Sequence, residues 1–385
     1  MQPMKGRSRA WFAFGAIAAV AALALVLRWH SRPPAAYAPE SDTFPDAAYQ
    51  SDATAADYRE EARRVATDLA GRFPSDPRCL DLLARVEQSA GRLEAAEAIW
   101  QKWLALDPKA VTPAEELGSA AMKRGNQDRA AELFRRVLAV DPQRLAATVL
   151  LGQVLLDSGQ AAHAVELLEP RASQPNPSPA VLSVLGQAWS QLGEHARARD
   201  ALERVVKANP ADASAWYRLG RSCARLGDQA RAAQCRERFA VLAREDQQQT
   251  ANRMRAADDV AEMRRLAVTV LFRAGTICQS QGDPESAEDL WRRAAALDPR
   301  NVDAREQLVA YYSQTDQIDK ALRRCRELRT IDPNHVEHWL SEALLLARAG
   351  RFDAARDAVQ EALRLDPHNP RCQEVDEAIR SAAAR

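Results

Sequence analysis

The chain has 385 residues, of which 53 are basic and 53 acidic, so its formal net charge is zero. A balanced charge gives no bulk attraction for nucleic acid or for an anionic surface. Glycine is scarce, whereas alanine, leucine, glutamate and arginine are abundant, a composition that favours helices. The sequence carries no sustained apolar alternation bounded by hairpin turns, so we expect an all-α protein.

The N-terminus is predicted to anchor the chain in a membrane. A basic flank, residues 1–10, precedes WFAFGAIAAVAALALVL at 11–27, which carries no charge and is just long enough to span a bilayer as a helix. We expect an uncleaved, single-pass signal anchor in the cell membrane, with the remainder on the non-cytoplasmic, periplasmic side. The alternative is a signal peptide removed after the Ala-Tyr-Ala of residues 36–38, although Pro39 would hinder that cleavage.

Two short segments separate the anchor from the rest of the chain. Residues 28–56 contain four prolines and many small polar residues, which predicts a flexible linker. Residues 57–76 then have the composition of a helix that ends near Phe73, and we interpret them as an N-terminal capping helix.

A period of 34 residues dominates the remainder. Asp-Pro or Asn-Pro pairs recur at this spacing or at twice it in two series, one with prolines at Pro108, Pro142 and Pro210 and the other at Pro299, Pro333 and Pro367. The windows that follow are 77–110, 111–144, 145–178, 179–212, 213–246, 268–301, 302–335 and 336–369. A fixed period of this length is typical of repeat proteins, so we predict five repeats over 77–246 and three over 268–369.

The same kinds of residue recur at the same positions of each window. Position 8 is usually glycine or alanine, position 20 is always alanine, position 24 is usually large, and position 32 is usually proline. Glycine stands at position 15 in every window except one, where Asp316 replaces it. Glycine ends a helix with left-handed geometry, small residues let two helices approach closely, and proline stops the second helix.

This pattern resembles the tetratricopeptide repeat family. The resemblance implies a right-handed superhelical solenoid of antiparallel helix pairs with a concave face, and a scaffold that binds protein or peptide segments. One helix pair cannot bury its apolar side alone, so neighbouring repeats must stack.

Three departures from the pattern predict local changes. Pro170 should shorten the second helix of its window, and Arg244, where proline is expected, should let that second helix continue. Residues 247–267 are extra, and we predict a helical insertion that follows a polar break at Gln247–Thr250. Residues 370–385 resemble a C-terminal capping helix with a polar outer side.

The resemblance also points to a candidate site. In that family, positions 2, 5, 6, 9, 12 and 13 of the first helix tend to face the concave groove. Applied to this chain, the rule gives the peptide-binding candidates Gln187, Tyr217, Arg218, Arg221, Arg225, Phe272, Arg273 and Thr276. Arginine forks suit carboxylates and aromatic rings suit apolar side chains, so we expect a protein or extended-peptide partner, for which acidic character would be favourable. The alternative is that these arginines are merely solvated.

Other chemistry-bearing residues favour structural roles. The six cysteines include no C-x-x-C pair, so buried thiols are expected, with a Cys223–Cys235 disulfide as the alternative in an oxidising compartment. His335 and His338 share a helix face but no third ligand accompanies them, so we predict no metal site. The six tryptophans of the repeat windows all fall on packing positions of the pattern, namely Trp100, Trp103, Trp189, Trp216, Trp291 and Trp339.

Known catalytic and phosphate-binding motifs are absent from the sequence, and we predict neither an enzyme nor a cofactor. No nucleic-acid partner or small-molecule substrate is expected. The predicted function is a membrane-tethered scaffold that holds a protein segment in its concave groove. The alternative is a structural subunit of a membrane-associated complex, which would use its ends or its convex face.

Overall fold

The computed structural model describes residues 47–49, 51–256 and 259–383. The basic flank, the predicted anchor at 11–27 and most of the predicted linker lie outside the described residues. Within the described part of the chain, no helix combines the length and the apolar character needed to cross a membrane.

The predicted all-α fold class is confirmed. A 3-10 turn at Ala47–Tyr49 precedes a succession of α-helices, and the described residues contain no strand. The helices are α1 Ala55–Arg72, α2 Pro77–Ser89, α3 Leu93–Leu106, α4 Val111–Lys123, α5 Gln127–Val140, α6 Leu145–Asp157, α7 Ala161–Ala172, α8 Pro179–Gln191, α9 His195–Ala208, α10 Ala213–Arg225, α11 Gln229–Ala256, α12 Asp259–Ser280, α13 Pro284–Leu297, α14 Val302–Gln314, α15 Ile318–Ile331, α16 Val336–Arg348, α17 Phe352–Leu365 and α18 Pro370–Ala383.

Within the repeats, the even-numbered helices are first helices and the odd-numbered ones are second helices. Within each unit, first helices pack on the second helices that follow them, as in α4 with α5, α10 with α11, and α16 with α17. The chain divides into two compact units. Of the described residues, the N-terminal unit holds those from Asp52 to Ile277, and the C-terminal unit holds those from Cys278 onward together with residues 47–49 and Ser51.

The turn at position 15 has the predicted left-handed backbone. Gly125, between α4 and α5, has a φ of 75°, a value that costs glycine little because it lacks a Cβ. Asp316, which replaces glycine between α14 and α15, is forced into the same region with a φ of 59°. The turn geometry is therefore set by the repeat and not by the residue.

The predicted close approach at position 8 is also present. A Cβ added to Gly118 on α4 would lie 2.9 Å from Cε1 of Phe134 on α5, closer than a real contact allows. Ala130, at position 20 of the same repeat, is fully buried. Small residues at 8 and 20 thus let the large residue at 24 fill the space between the two helices.

Position 32 has a second role that joins consecutive repeats. The proline carbonyl at the end of a second helix accepts a hydrogen bond from the next repeat, at 3.0 Å from Trp216 Nε1 to Pro210 and at 2.9 Å from Trp339 Nε1 to Pro333. These indoles therefore serve packing and a backbone hydrogen bond, which agrees with their predicted structural role.

Two of the predicted departures are found. Pro170 lies in the last turn of α7, which has 12 residues where most second helices have 14. Helix α11 continues past Arg244 and is 28 residues long. The polar break predicted at Gln247–Thr250 is wrong, because α11 runs through it to Ala256. No glycine or proline interrupts that stretch, and glutamine is a good helix former.

The end of the predicted linker is ordered, which corrects the expectation of a flexible tether up to residue 56. In the C-terminal unit, Ala48 is buried and the Tyr49 hydroxyl accepts a 3.0 Å hydrogen bond from Arg293 Nε on α13. In the N-terminal unit, α1 begins at Ala55 under a capping box formed by Thr54 and Asp57.

All six cysteines are buried free thiols. Cys223 on α10 and Cys235 on α11 carry no disulfide, so the buried-thiol interpretation holds in this structure. Burial raises the pKa of Cys223 to about 11, which keeps that thiol protonated and unreactive at neutral pH.

Candidate functional site

Four first helices of the N-terminal unit form a continuous row. Helix α4 contacts α6, α6 contacts α8, and α8 contacts α10. Between α6 and α8 a Cβ on Gly152 would lie 3.3 Å from Val184 Cγ1, so the missing side chain allows these helices to touch. Between α8 and α10, Arg218 donates a 3.0 Å hydrogen bond to the Ser183 hydroxyl. We call α4, α6, α8 and α10 the inner row.

Helix α10 presents an aromatic and basic face. Tyr217 is 50% exposed, and its ring centroid lies 5.4 Å from that of Phe239 on α11. The Arg221 guanidinium lies 5.9 Å from the centre of the Tyr217 ring, at a distance that suits a cation–π contact. Arg225 follows one turn further along, so these residues share one face of the helix.

The positive charge on this face is not compensated locally. Helix α8 contains no charged residue and α10 contains no acidic one. Arg221 and Arg225 are exposed, and within the described residues neither forms an ion pair with a carboxylate. By contrast, Arg144 is held in two hydrogen bonds by Glu115 of the same unit, at 2.8 and 2.7 Å. The α10 arginines are thus free to pair with an external carboxylate.

Gln187 on α8 adds an unused acceptor. The residue is half-buried, and its Oε1 is buried without a hydrogen-bond partner among the described residues. A buried amide oxygen with no partner costs free energy. Because that oxygen is shielded from solvent, a ligand could contact only the exposed part of the Gln187 side chain.

The remaining three candidates lie on α12 and are placed differently. Arg273 donates a 2.8 Å hydrogen bond to Asp81 on α2, and Arg264 donates one of 3.0 Å to the Tyr58 hydroxyl on α1. Helix α12 thus lies against α1 and α2. Phe272 is half-buried, and the Thr276 hydroxyl donates to the Phe272 carbonyl at 3.1 Å.

The candidates therefore form two groups, Gln187 to Arg225 on α8 and α10, and Phe272 to Thr276 on α12. Within the described residues no hydrogen bond, ion pair or ring contact joins the two groups. The Arg273 charge is already neutralised by Asp81, which also pairs with Arg85 at 2.8 Å. The α10 group is the better candidate for an external ligand.

Sequence reasoning missed three residues of the N-terminal unit that bear on the site. Asp81 occupies position 5 of its window, where its charge could have been noticed as a partner for a basic first helix. Val149 and Leu150 occupy positions 5 and 6 of α6 and are half-buried aliphatic side chains on the inner row. The positional rule that selected Tyr217 and Arg218 selects them equally.

Comparison with known families identifies the repeat. Tetratricopeptide repeat models match residues 184–238 and 308–370, and a further one matches 77–102. The model of subunit 3 of the anaphase-promoting complex, or cyclosome, matches 123–205. The helix pairs matched by the repeat models are therefore tetratricopeptide repeats. No curated protein sequence matches the chain.

Several solved structures resemble parts of the chain. MamA of Desulfovibrio magneticus RS-1, from residue 41 to its end, is 23% identical, with 43% of this chain and 94% of MamA covered and a TM-score of 0.40. PilW, a type IV pilus biogenesis factor, is 17% identical with coverages of 59% and 95% and a TM-score of 0.37. YrrB, a repeat protein with an unusual peptide-binding site, is 12% identical with coverages of 72% and 97% and a TM-score of 0.28. At these TM-scores the likenesses carry no conclusion about what this chain binds.

Proposed function

We propose that this protein is a scaffold that binds an extended, acidic segment of another protein on the inner row of its N-terminal unit. The observation that supports this most is the uncompensated positive charge of Arg221 and Arg225 beside the exposed ring of Tyr217. Arginine binds carboxylates in a bidentate way, and a half-exposed tyrosine offers apolar area with little loss of conformational freedom. The site is preformed by packed helices, which lowers the entropic cost of binding.

We further propose that residues 11–27 tether the scaffold to the cell membrane, with its repeats on the periplasmic side. The support is the apolar, uncharged segment behind a basic flank. Tetratricopeptide repeats are typically interaction scaffolds, and no catalytic role, cofactor or metal enters this proposal.

A double charge reversal tests the site. The variant Arg221→Glu with Arg225→Glu should lose the partner that cross-links to the wild-type protein in its native membrane, because two attractive charges become repulsive. Its matched control is Arg204→Glu with Lys207→Glu on α9, two exposed residues with the same change in charge. Arg273 is left intact because its reversal would break the internal pair with Asp81.

The readout is the fraction of each variant cross-linked to a common partner, quantified by mass spectrometry. A partner retained equally by both variants would overturn the proposed site and favour a structural subunit that uses its ends or convex face. Running the experiment with a membrane-impermeant and a permeant cross-linker tests the orientation. Cross-links formed only by the permeant reagent would contradict a periplasmic location.

A further inference from the structure

The inner row changes its chemistry from helix to helix, and this deepens the proposed function, on which the inference rests. Positions 5 and 6 of neighbouring first helices lie side by side, as the 3.0 Å hydrogen bond between Arg218 and Ser183 demonstrates. Along the row these positions carry acidic residues on α4, partly accessible aliphatic ones on α6, a serine and a buried valine on α8, and an aromatic and a basic one on α10. A segment that crosses the row therefore meets these surfaces in a fixed order.

Helix α6 provides the aliphatic surface. Val149 and Leu150 are half-buried and pack against the core of the N-terminal unit, which leaves part of each side chain accessible. The only charged residue on α6 is Asp157 at its end. An aliphatic side chain of a ligand would lose its water shell here at no electrostatic cost.

Helix α8 lies between the two selective surfaces and offers little side-chain selection. Its Ser183 is already engaged by Arg218. Its Gln187 is half-buried, and the Oε1 of that residue is shielded from solvent. The middle of a bound segment thus meets no charged or strongly apolar accessible side chain at these two positions of α8.

The α4 end of the row opposes an acidic ligand. Glu115 and Glu116 stand at positions 5 and 6 of α4, and both are partly exposed. Glu115 is paired with Arg144, whereas Glu116 has no cationic partner among the described residues. Like charges placed against each other cost free energy, so the acidic part of a ligand is directed to α10.

We propose that the inner row recognises a two-part segment: an aliphatic anchor that contacts Val149 and Leu150, and an acidic cluster that contacts Arg221 and Arg225. Packed helices lie about 8–10 Å apart, so the two lateral steps from α6 to α10 span roughly 16–20 Å. The offset from positions 5 and 6 to positions 9 and 13 adds about 5–12 Å along the helix axis, which brings the separation to roughly 17–23 Å. An extended chain covers about 3.3 Å per residue, so the anchor and the acidic cluster are separated by about five to seven residues.

A spacer series with the full-length protein in detergent tests this inference. Fluorescent synthetic peptides carry two leucines and three aspartates, separated by two, six or twelve Ser-Gly-type residues, and a fourth peptide carries the aspartates without leucines. Fluorescence anisotropy at low ionic strength gives each Kd. We expect the tightest binding at six residues, at least about tenfold tighter than at two, because a short spacer cannot reach both surfaces.

Variants separate the two surfaces. Val149→Ser with Leu150→Ser should weaken binding of the peptide with the six-residue spacer until its Kd equals that of the aspartate-only peptide. The Kd of the aspartate-only peptide should not change. Arg221→Glu with Arg225→Glu should abolish binding of both peptides. Circular dichroism melts check that each variant folds, and the spacer series on the wild-type protein needs no variant at all.

The outcomes distinguish this inference from the proposed function. Equal affinity at all spacer lengths contradicts the proposal of a two-part segment. So does an aspartate-only peptide that binds as tightly as the peptide with the six-residue spacer. Binding that remains sensitive to Arg221 and Arg225 in that case leaves the proposed function in place. Binding of every peptide unaffected by the double charge reversal overturns both.

Discussion

Two arginines at the same position of a first helix, one in each unit, have opposite uses. Arg348 on α16 and Arg225 on α10 both stand at position 13 of their windows. Arg348 donates to the Ser313 hydroxyl at 2.9 Å and to Asp316 at 3.0 Å, both in the preceding repeat. The residues at the same positions before Arg225 are Ser190 and Gly193, so no carboxylate is available.

The comparison extends to Arg305 on α14, which is only 7% exposed. It pairs with Glu327 at 3.0 Å and donates to the carbonyl oxygens of Asn301 at 2.7 Å and of Ala295 at 3.2 Å. The same residue type on the same kind of helix thus fastens repeats together at Arg305 and Arg348 of the C-terminal unit, whereas Arg225 of the N-terminal unit faces solvent. Local carboxylates decide between the two uses, and this difference can be tested.

The largest expected effect is on Arg305. Arg305→Ala should destabilise the protein by about 2–4 kcal/mol, because it leaves several carbonyl groups without a donor, whereas Glu327 keeps its pair with Arg324. Arg221→Ala, its counterpart in the exposed group, should change stability by less than about 0.5 kcal/mol. Urea denaturation followed by circular dichroism measures both. Equal losses in the free energy of unfolding for the two variants would contradict the distinction between the buried Arg305 and the exposed Arg221.

A smaller effect on stability is expected at position 20, which is alanine in the repeats of both units. Ala130→Phe in the N-terminal unit and Ala321→Phe in the C-terminal unit both place a large ring at position 20, where each alanine is fully buried. Each should cost about 1–3 kcal/mol through overpacking of the helix pair. Thermal melts of the two variants should shift down by similar amounts, and an unchanged melt of either one would contradict the assigned register.

The smallest expected effect on stability is at Asp316, which replaces glycine in the turn between α14 and α15. Asp316→Gly should stabilise the protein by up to about 1 kcal/mol, because glycine adopts a positive φ without the steric cost that aspartate bears. The lost ion pair with Arg348 is partly exposed and offsets little of this gain. Asp316→Asn, which removes the charge but tolerates this conformation, is the control. A destabilised glycine variant would mean that the ion pair with Arg348 contributes more than the turn costs.

Much of the fold was predictable because the repeat is encoded locally. Gly125 marks a turn and Gly118 a close approach because each geometry requires a missing side chain. The run of glutamines near residue 248 was mistaken for a break because polarity alone does not end a helix. A glycine or proline would have been needed there.

The site was only partly predictable. The position rule placed Tyr217, Arg221 and Arg225 on one helix face, since that relation depends on helical spacing alone. It could not place Arg273, whose partner Asp81 is 192 residues away in the sequence. That contact depends on the path of the long helices α11 and α12, which no repeat pattern encodes. The binding role of all eight candidates stays a prediction.

The lack of carboxylates on α8 and α10 has a kinetic consequence. A charge that is not neutralised by a neighbour acts over about 8 Å at physiological ionic strength, well before two molecules touch. Such a field orients an oppositely charged chain during diffusion and raises the association rate. Arg221 and Arg225 would therefore govern how fast a partner is captured, while the aliphatic contact on α6 would govern how long it stays.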